Sequence, residues 1–503
     1  MSQPRIRGND WTSLAALAAQ EWTPQLRVSV VIPAYRTAST LPFTLGALGA
    51  QSYPPELVEV IVVDDAGEGV EVPADAPAST RVVRREGSWG RANTFHTGVM
   101  HATGHVIHRL DGDMVPLRDE VERHMRWHHL LDHVVVLGHK TFVDPDDLPA
   151  REDVVAAVRG GRVRELLEGV QQTDHEWVER YWRETDDLTT SGFRAYQVHV
   201  GASTSFPREL YLACGGTDTG LKLGEDIELG YRLQLSGAVF VADRRATSVH
   251  LGPSTLMRRQ LEVERYNAPH IAQRVPDLRK FRRQRGRSYE VPFVEVVVDV
   301  EGRAFEEVTH TVDAVLRGRP ADIVCSLVGP WNRLQHDDRR DPLLDAELDL
   351  RLVHEEYRQE GRVRLLEEAA ASAFPAPYRF HLPCGWAPDD QAVGRLLLQM
   401  REEGVGLWTL ACPDGRVGRL ECTAALARAR HVAEPGEDID AAVAQLSEVR
   451  SSDATSLGFR SAHDVATRGA AGDATAPVTA GDPAPPQKLG RRALRTLRSR
   501  HRS

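Results

Sequence analysis

The chain has 503 residues, 41% of them hydrophobic and 27% charged, which excludes a mostly disordered polymer and leaves room for about two to four domains. Its 62 Lys and Arg against 72 Asp and Glu leave a net charge of −10. Neutralising phosphates needs a basic face, so a dedicated nucleic-acid binder is excluded. Five cysteines (Cys214, Cys325, Cys384, Cys412, Cys422) contain no C-x-x-C pair. Neither a disulfide framework nor a zinc knuckle fits them, and a reducing, cytoplasmic setting is expected. No apolar run reaches the length of about 18 residues that a membrane-crossing helix needs.

Residues 1–24 read as a helical cover. Val28-Ser-Val-Val-Ile32 then reads as a buried parallel strand ending at Pro33-Ala34, a helix follows over Leu41–Ala50, and a second strand, Val58–Val63, ends at Asp64-Asp65. Strand, helix and strand make a βαβ unit, and sheets built this way bind ligands at the carboxyl ends of their strands. The alternation continues through Arg81–Arg84, a helix over Arg91–Ala102 and the strand His105–Leu110, which ends in Asp111-Gly112-Asp113.

A polar helical insertion, 141–194, carries Trp177, Tyr181 and Trp182. These rings either stack on an acceptor sugar or pack the insertion onto the sheet, and packing is the preferred reading. The α/β pattern resumes with Gly201–Phe206, a helix from Arg208, the stretch Gly224–Leu233, a strand at Ala238–Ala242 and then Ser248-Val-His250. Residues 271–290, with Arg274, Arg279, Arg282, Arg283, Arg285 and Arg287, read as a basic linker or solvated helix.

A second α/β segment, 291–465, repeats the first. Leu110 and Pro116 bracket Asp-Gly-Asp, and Leu382 and Pro388 bracket Pro-Cys-Gly at the same spacing. Leu110 lies 82 residues after Val28, and Leu382 lies 88 after Val294. Gly436-Glu437-Asp438-Ile439 echoes Gly224-Glu225-Asp226-Ile227, and His463 follows Glu437 by 26 residues where His250 follows Glu225 by 25. In the second copy Pro383 and Gly385 replace Asp111 and Asp113, so it is expected to be non-catalytic and to serve acceptor docking or dimerisation. Residues 466–503 are Ala/Gly/Thr/Pro-rich and expected to be disordered. Their tip, Lys488–Ser503, holds seven Lys and Arg and reads either as a solvated tail or as a peripheral contact with anionic lipid at the inner membrane face.

Chemistry concentrates in the first copy. Two carboxylates on a tight turn around Gly112 can hold one hard divalent cation whose remaining ligands are a diphosphate. They accompany Asp64-Asp65, Arg91-x-Asn93 and Glu225-Asp226, with His250 24 residues after Asp226. On these stretches, residues 25–270 resemble the family 2 glycosyltransferases, nucleotide-sugar enzymes of the GT-A fold. Gly224–Arg232 also resembles the galactosyltransferase and polypeptide N-acetylgalactosaminyltransferase groups.

The resemblance implies a GT-A catalytic domain followed by a degenerate GT-A-like α/β domain. It implies that Pro33, Ala34, Asp64, Asp65, Arg91, Asn93, Asp111 and Gly112 line the nucleotide sugar. Asp113, Asp111 and His250 would hold Mn²⁺ or Mg²⁺, and Asp226, with Glu225 beside it, would be the general base. The implied reaction moves a sugar, from a UDP-sugar first of all, to a carbohydrate, lipid-linked or small-molecule hydroxyl with inversion. Two alternatives stay open: a retaining transferase of the same fold, and a non-catalytic carbohydrate-binding scaffold. A nucleotidyltransferase or dinucleotide oxidoreductase wants a glycine-rich loop after the first strand, and Pro33–Ser39 has no glycine.

Histidines are dense at His96, His101, His105 and His108 and again at His124, His128, His129 and His133. Their spacing pins them to no common face, so no additional metal is assigned to them.

Overall fold

Apolar runs without alternation suit strands covered on both faces, and the two longest in the first half behave so. In the computed structural model, which describes residues 3–67, 69–282, 287–335 and 341–462, Val28–Ala34 (β1) is almost wholly buried and Val58–Asp64 (β2) entirely so. The tail with its basic tip, Arg283, Arg285 and His463 lie outside the described residues. Around β1 and β2 come Thr80–Arg84 (β3), Val106–Leu110 (β4), Met114–Pro116 (β5), Val134–Val143 (β6), Gln172–Asp174 (β7), Ser203–Pro207 (β8) and Val239–Leu251 (β9). They form one mixed sheet in the order β3-β2-β1-β4-β8-β6-β9-β5, with β7 beside β6.

The β3-β2-β1-β4 half is parallel, β8 runs antiparallel to both β4 and β6, and β6 and β9 are parallel. The sequence suggests two pieces for β9. One 13-residue strand forms instead, because Asp243 Oδ1 accepts from the Arg245 amide and a register shift at Gly138/His139 absorbs the irregularity.

The second half rebuilds this sheet. Val294–Asp299 (β10), Ile323–Val328 (β11), Val363–Leu366 (β12), Tyr378–His381 (β13), Trp386–Pro388 (β14), Val405–Ala411 (β15), Val417–Cys422 (β16), Glu448–Asp453 (β17) and Phe459–Ser461 (β18) follow in order. Their sheet reads β12-β11-β10-β13-β16-β15-β17, with β14 paired to β18. Apart from β7, which has no counterpart among the described residues, this repeats the strand order of the first sheet with the same parallel and antiparallel neighbours. What is a single β9 in the first copy is split into β17 and β18 in the second.

The two sheets share one apolar core, running from Phe206, Tyr211 and Tyr231 to Val296, Phe380 and Leu420, within a compact unit spanning Met1–Ser461. Tyr231 donates to the Pro375 carbonyl at 2.8 Å, and Arg401 pairs with Asp277 at 2.8 Å. The arginines between the halves are engaged: Arg279 and Arg282 both grip Asp322, at 2.6 and 3.0 Å, and Arg274 holds Asp218 at 2.5 Å. Trp182 is buried, and Trp177 and Tyr181 pack beside it against the core, which is the packing role the sequence favoured. Among the described residues no helix is long and apolar enough to cross a membrane.

Arg428 ties the halves together. It is fully buried and donates to the carbonyls of Gly237 at 2.9 Å, Ala238 at 2.5 Å and Gly8. Arg428→Met keeps the volume but strands these buried acceptors, and is expected to cost about 3–5 kcal/mol in urea unfolding. Unfolding should remain a single transition; two separated transitions would show that the halves fold independently.

Candidate active site

The carboxyl ends of β1, β2 and β4 open on one edge of the first sheet, and the turn Asp111-Gly112-Asp113 links β4 to the short β5. The Met114 amide closes this turn on Asp111 O at 3.2 Å, and three further bonds hold it: the Asp111 amide to Ala202 O at 3.4 Å, Thr40 Oγ1 to Gly112 O at 2.9 Å, and the Leu251 amide to Asp113 O at 2.8 Å. Because β5 pairs with β9 so that Met114 faces His250, a histidine 137 residues downstream of Asp113 comes back to the turn. Its Nε2 stands 3.6 Å from Asp113 Oδ1.

Asp113 Oδ1 is buried without a hydrogen-bond partner, as is His250 Nδ1. Burial raises the Asp113 carboxyl, with Asp111 adding to the rise and His250 opposing it. An orphaned carboxylate oxygen facing an imidazole nitrogen is a donor pair that fits a hard or borderline divalent cation. Asp111 does not complete a tight three-ligand cluster with them among the described residues.

Cations surround Asp111. Burial opposes its charge, yet Arg91, Arg109, His250 and Lys140 together hold its carboxyl below the usual range. Arg91, at the first turn of the Arg91–His101 helix, is solvent-open. The fields of Asp111 first, and of Glu225, Asp226 and Asp113, keep it firmly charged.

The glutamate and aspartate before Ile227 take different roles. Gly224, at φ +76°, turns the chain into the Glu225–Leu235 helix in a conformation that L side chains avoid. Glu225 is buried and receives a 2.9 Å hydrogen bond from Arg109 Nη2, itself fully buried. The Arg109 guanidinium lies 4.9 Å from the Phe95 ring centroid, and a Cβ at Gly201 would collide with it. Asp226, half-buried, keeps a freer carboxylate: among the described residues its Oδ1 takes only the amide of Ile227, at 2.8 Å, and His199 Nδ1 secures its carbonyl at 2.7 Å.

The aspartates after β2 are already occupied. Asp64 accepts from the amides of Gly67 at 2.7 Å and Gly69 at 2.9 Å, shaping the loop after β2. Asp65 binds Arg85 at 2.5 Å and Thr94 Oγ1 at 2.8 Å, and its amide donates to Ala34 O at 3.0 Å. Asn93 donates to Ser88 O at 2.6 Å and also to Glu86 O, pinning the loop before its helix. Pro33 and Ala34 pair with Val63 and Asp64 at the end of β1. Asp111, Asp113, His250, Arg91, Glu225 and Asp226 therefore converge, while Asp64, Asp65 and Asn93 frame the neighbouring loop.

Lys140, which sequence reasoning passed over, belongs to the convergent group. It is 4% exposed, and burial pushes its amine down to about 8 against the pull of Asp111, Asp226 and Glu179. The available signal was a lysine inside the ten-residue, largely apolar run Val134–Val143, where an unneeded charge is costly. His175 lines the same side: burial first, then Lys140 and His250, press it down to about 3.

In the second copy the turn between β13 and β14 is Leu382-Pro-Cys-Gly385 and carries no carboxylate. Glu437 is paired with Arg5 at 2.5 Å, and Asp438 caps the Ile439–Leu446 helix. Trp386 of β14 faces Ser461 where Met114 of β5 faces His250. In this register Ser461 stands at the place of His250.

Residues 29–189 match the family model described as Glycosyl transferase family 2. A curated relative, glycosyltransferase AglE of Haloferax volcanii, is 30% identical over 101 residues, 19% of this chain and 33% of that protein. The chain thus spans about a third of that relative's length. Among solved structures, a mannosyltransferase, PcManGT of Pyrobaculum calidifontis, in complex with GDP-Man and Mn²⁺ aligns at 20% identity and a TM-score of 0.34, covering 52% of this chain and 68% of that one. Residues 1–349 of S. aureus TarS in complex with UDP-GlcNAc align at 15% and 0.34, covering 50% and 68%.

Proposed function

We propose that the family 2 glycosyltransferase domain at residues 29–189, completed by the strands and helix up to His250, transfers a sugar from a nucleotide-diphosphate donor to an acceptor hydroxyl. UDP-sugars are the first donors to test, and a carbohydrate, lipid-linked or small-molecule alcohol is the acceptor. The observation that carries this reading is the convergence, at one sheet edge, of the donor pair Asp113–His250, the cations Arg91 and Lys140, and the free carboxylate of Asp226.

Asp113 and His250, with Asp111 beside them, would hold a divalent cation such as Mn²⁺ or Mg²⁺. When bound, that cation supplies charge to stabilise the departing diphosphate. Arg91 and Lys140 add fixed positive charge where the leaving group develops its own, and the burial of Lys140 strengthens its share. Asp226 takes the proton of the attacking hydroxyl. Glu225, locked to Arg109, holds the first helical turn so that Asp226 stays in place. A single base opposite the leaving group implies direct displacement with inversion at the anomeric carbon. Asp65, Asn93 and the end of β1 form the wall on which the base and ribose would lie. Residues 291–461 serve as a non-catalytic partner half that buttresses the active one through the shared core.

The test is a thermal-shift screen of UDP-, GDP- and dTDP-sugars with and without Mn²⁺, followed by donor hydrolysis. One donor class is expected to raise Tm only with the cation and to be turned over slowly without acceptor. Carbohydrate binding without donor hydrolysis would favour the scaffold reading instead.

A further inference from the structure

Two of the dense histidines, His108 and His124, meet once the chain is folded. His108 points from β4 to the side of the sheet opposite Arg109, as alternation along a strand requires. There it meets Glu120 and His124, one turn apart on the Glu120–His128 helix. All three are fully buried, and their ligand atoms lie within 4.8 Å of one another. Nε2 of His108 and Nε2 of His124 each stand 3.2 Å from Glu120 Oε1. Two ligands of a tetrahedral ion with bonds of 2.0–2.1 Å lie roughly 3.3 Å apart.

The cluster is unsatisfied as it stands. Neither nitrogen of His108 has a hydrogen-bond partner, and Glu120 Oε2 has none, although all are buried. Among the described residues no Lys or Arg pairs with the buried Glu120, whose carboxylate faces only the two imidazoles and Ser203 Oγ. Surrounding groups are arranged as supports: His124 Nδ1 lies 2.8 Å from Ser205 Oγ, which also meets His128 Nε2 at 2.7 Å. Such a bond to the second ring nitrogen is what orients a metal-ligating histidine. Ser203 Oγ is 2.7 Å from Glu120 Oε1 and 3.2 Å from His124 Nε2, placing a hydroxyl oxygen where a fourth ligand would stand. On the β6 side the cluster faces Gly138, where a Cβ would strike Ser203 Oγ and stand 3.0 Å from His124 Nε2.

We infer that His108, Glu120 and His124 form a buried structural site for a zinc-class divalent ion, separate from the donor pair Asp113–His250. Two imidazoles and one carboxylate suit a borderline ion better than Mg²⁺ or Ca²⁺, which take all-oxygen shells. The ion would clamp the Glu120–His128 helix to β4 and β8 beneath the turn that carries Asp111 and Asp113.

The full chain, purified through a histidine-free tag, is loaded with Zn²⁺, stripped of loose metal by EDTA, and measured by mass spectrometry. About one zinc per chain is expected to remain, and Co²⁺ loading in its place should give visible d–d absorption of a tetrahedral N/O site. The double variant Asp113→Asn/His250→Gln should keep that equivalent and Glu120→Gln should lose it. Should Glu120→Gln not fold, His124→Gln replaces it and should lose the zinc, while His431→Ala, which takes a ligand from the separate Asp132–His133–His431 group, should keep it; retention that depends on His431 overturns the proposal. No retained zinc above background in the wild type overturns the proposal, and so does retention that depends on Asp113 and His250 instead.

Discussion

Asp226→Asn is expected to lower transfer by about 10²- to 10⁴-fold, the range a positioned general base contributes, while isothermal titration still detects donor binding. Asparagine keeps the size and the Oδ1 that accepts from the Ile227 amide, so the helix start should survive. Only the proton acceptor is lost. The cation donors Asp113 and His250 and the cations Arg91 and Lys140 are untouched, which is why donor affinity should change little. The matched substitution in the second copy, Asp438→Asn, should leave the rate unaltered, because no carboxylate pair accompanies it at Pro383 and Gly385. Loss of donor binding in Asp226→Asn would remove Asp226 from the role of base.

Lys140→Met should act in opposite directions on activity and stability. At the site it removes a buried charge facing Asp111 and Asp226, and kcat/KM should fall by roughly 10²-fold, as for loss of one transition-state charge donor. For stability, the folded-state amine sits at about 8, below its ordinary 10.5, so between those values the unfolded chain binds more protons than the folded one. Wild-type stability from this group therefore rises with pH across that window, and the full penalty applies below about pH 8. Methionine removes the penalty, and the variant should gain about 1–3 kcal/mol at pH 7. That advantage should shrink as pH climbs from 8 toward 10. Denaturant unfolding at pH 7 and pH 9 checks this; a variant less stable than wild type at pH 7 would mark Lys140 as a structural counter-ion of Asp111.

Much of the architecture was legible because it is written in local patterns. Largely apolar runs announced β1, β2 and β10, and turn residues after β1, β2 and β4 marked the loops where the carboxylates lie. The duplication was legible too, since equal spacings around Asp111-Gly-Asp113 and Pro383-Cys-Gly385 survive the loss of the acidic residues. Spacing failed where pairing decides the outcome. Residue counting did not show that antiparallel register between β14 and β18 sets Ser461 at the place of His250. The basic stretch before Val294 looked solvated, yet Arg279 and Arg282 turn inward onto Asp322, a partner 40 or more residues away in sequence.

The sequence by itself determined the fold class, the position of the acidic turns, the internal repeat and the divergence of the second copy at the turn. Each depends on residues close together along the chain. Tertiary structure alone decided that Lys140 joins the site, that Glu225 is spent on Arg109 while Asp226 stays free, and that both halves share one core. It alone brought His108 to Glu120 and His124. These depend on which face of a strand meets which helix, a choice made by packing and register over separations of tens to hundreds of residues, on which the local pattern of residues is silent.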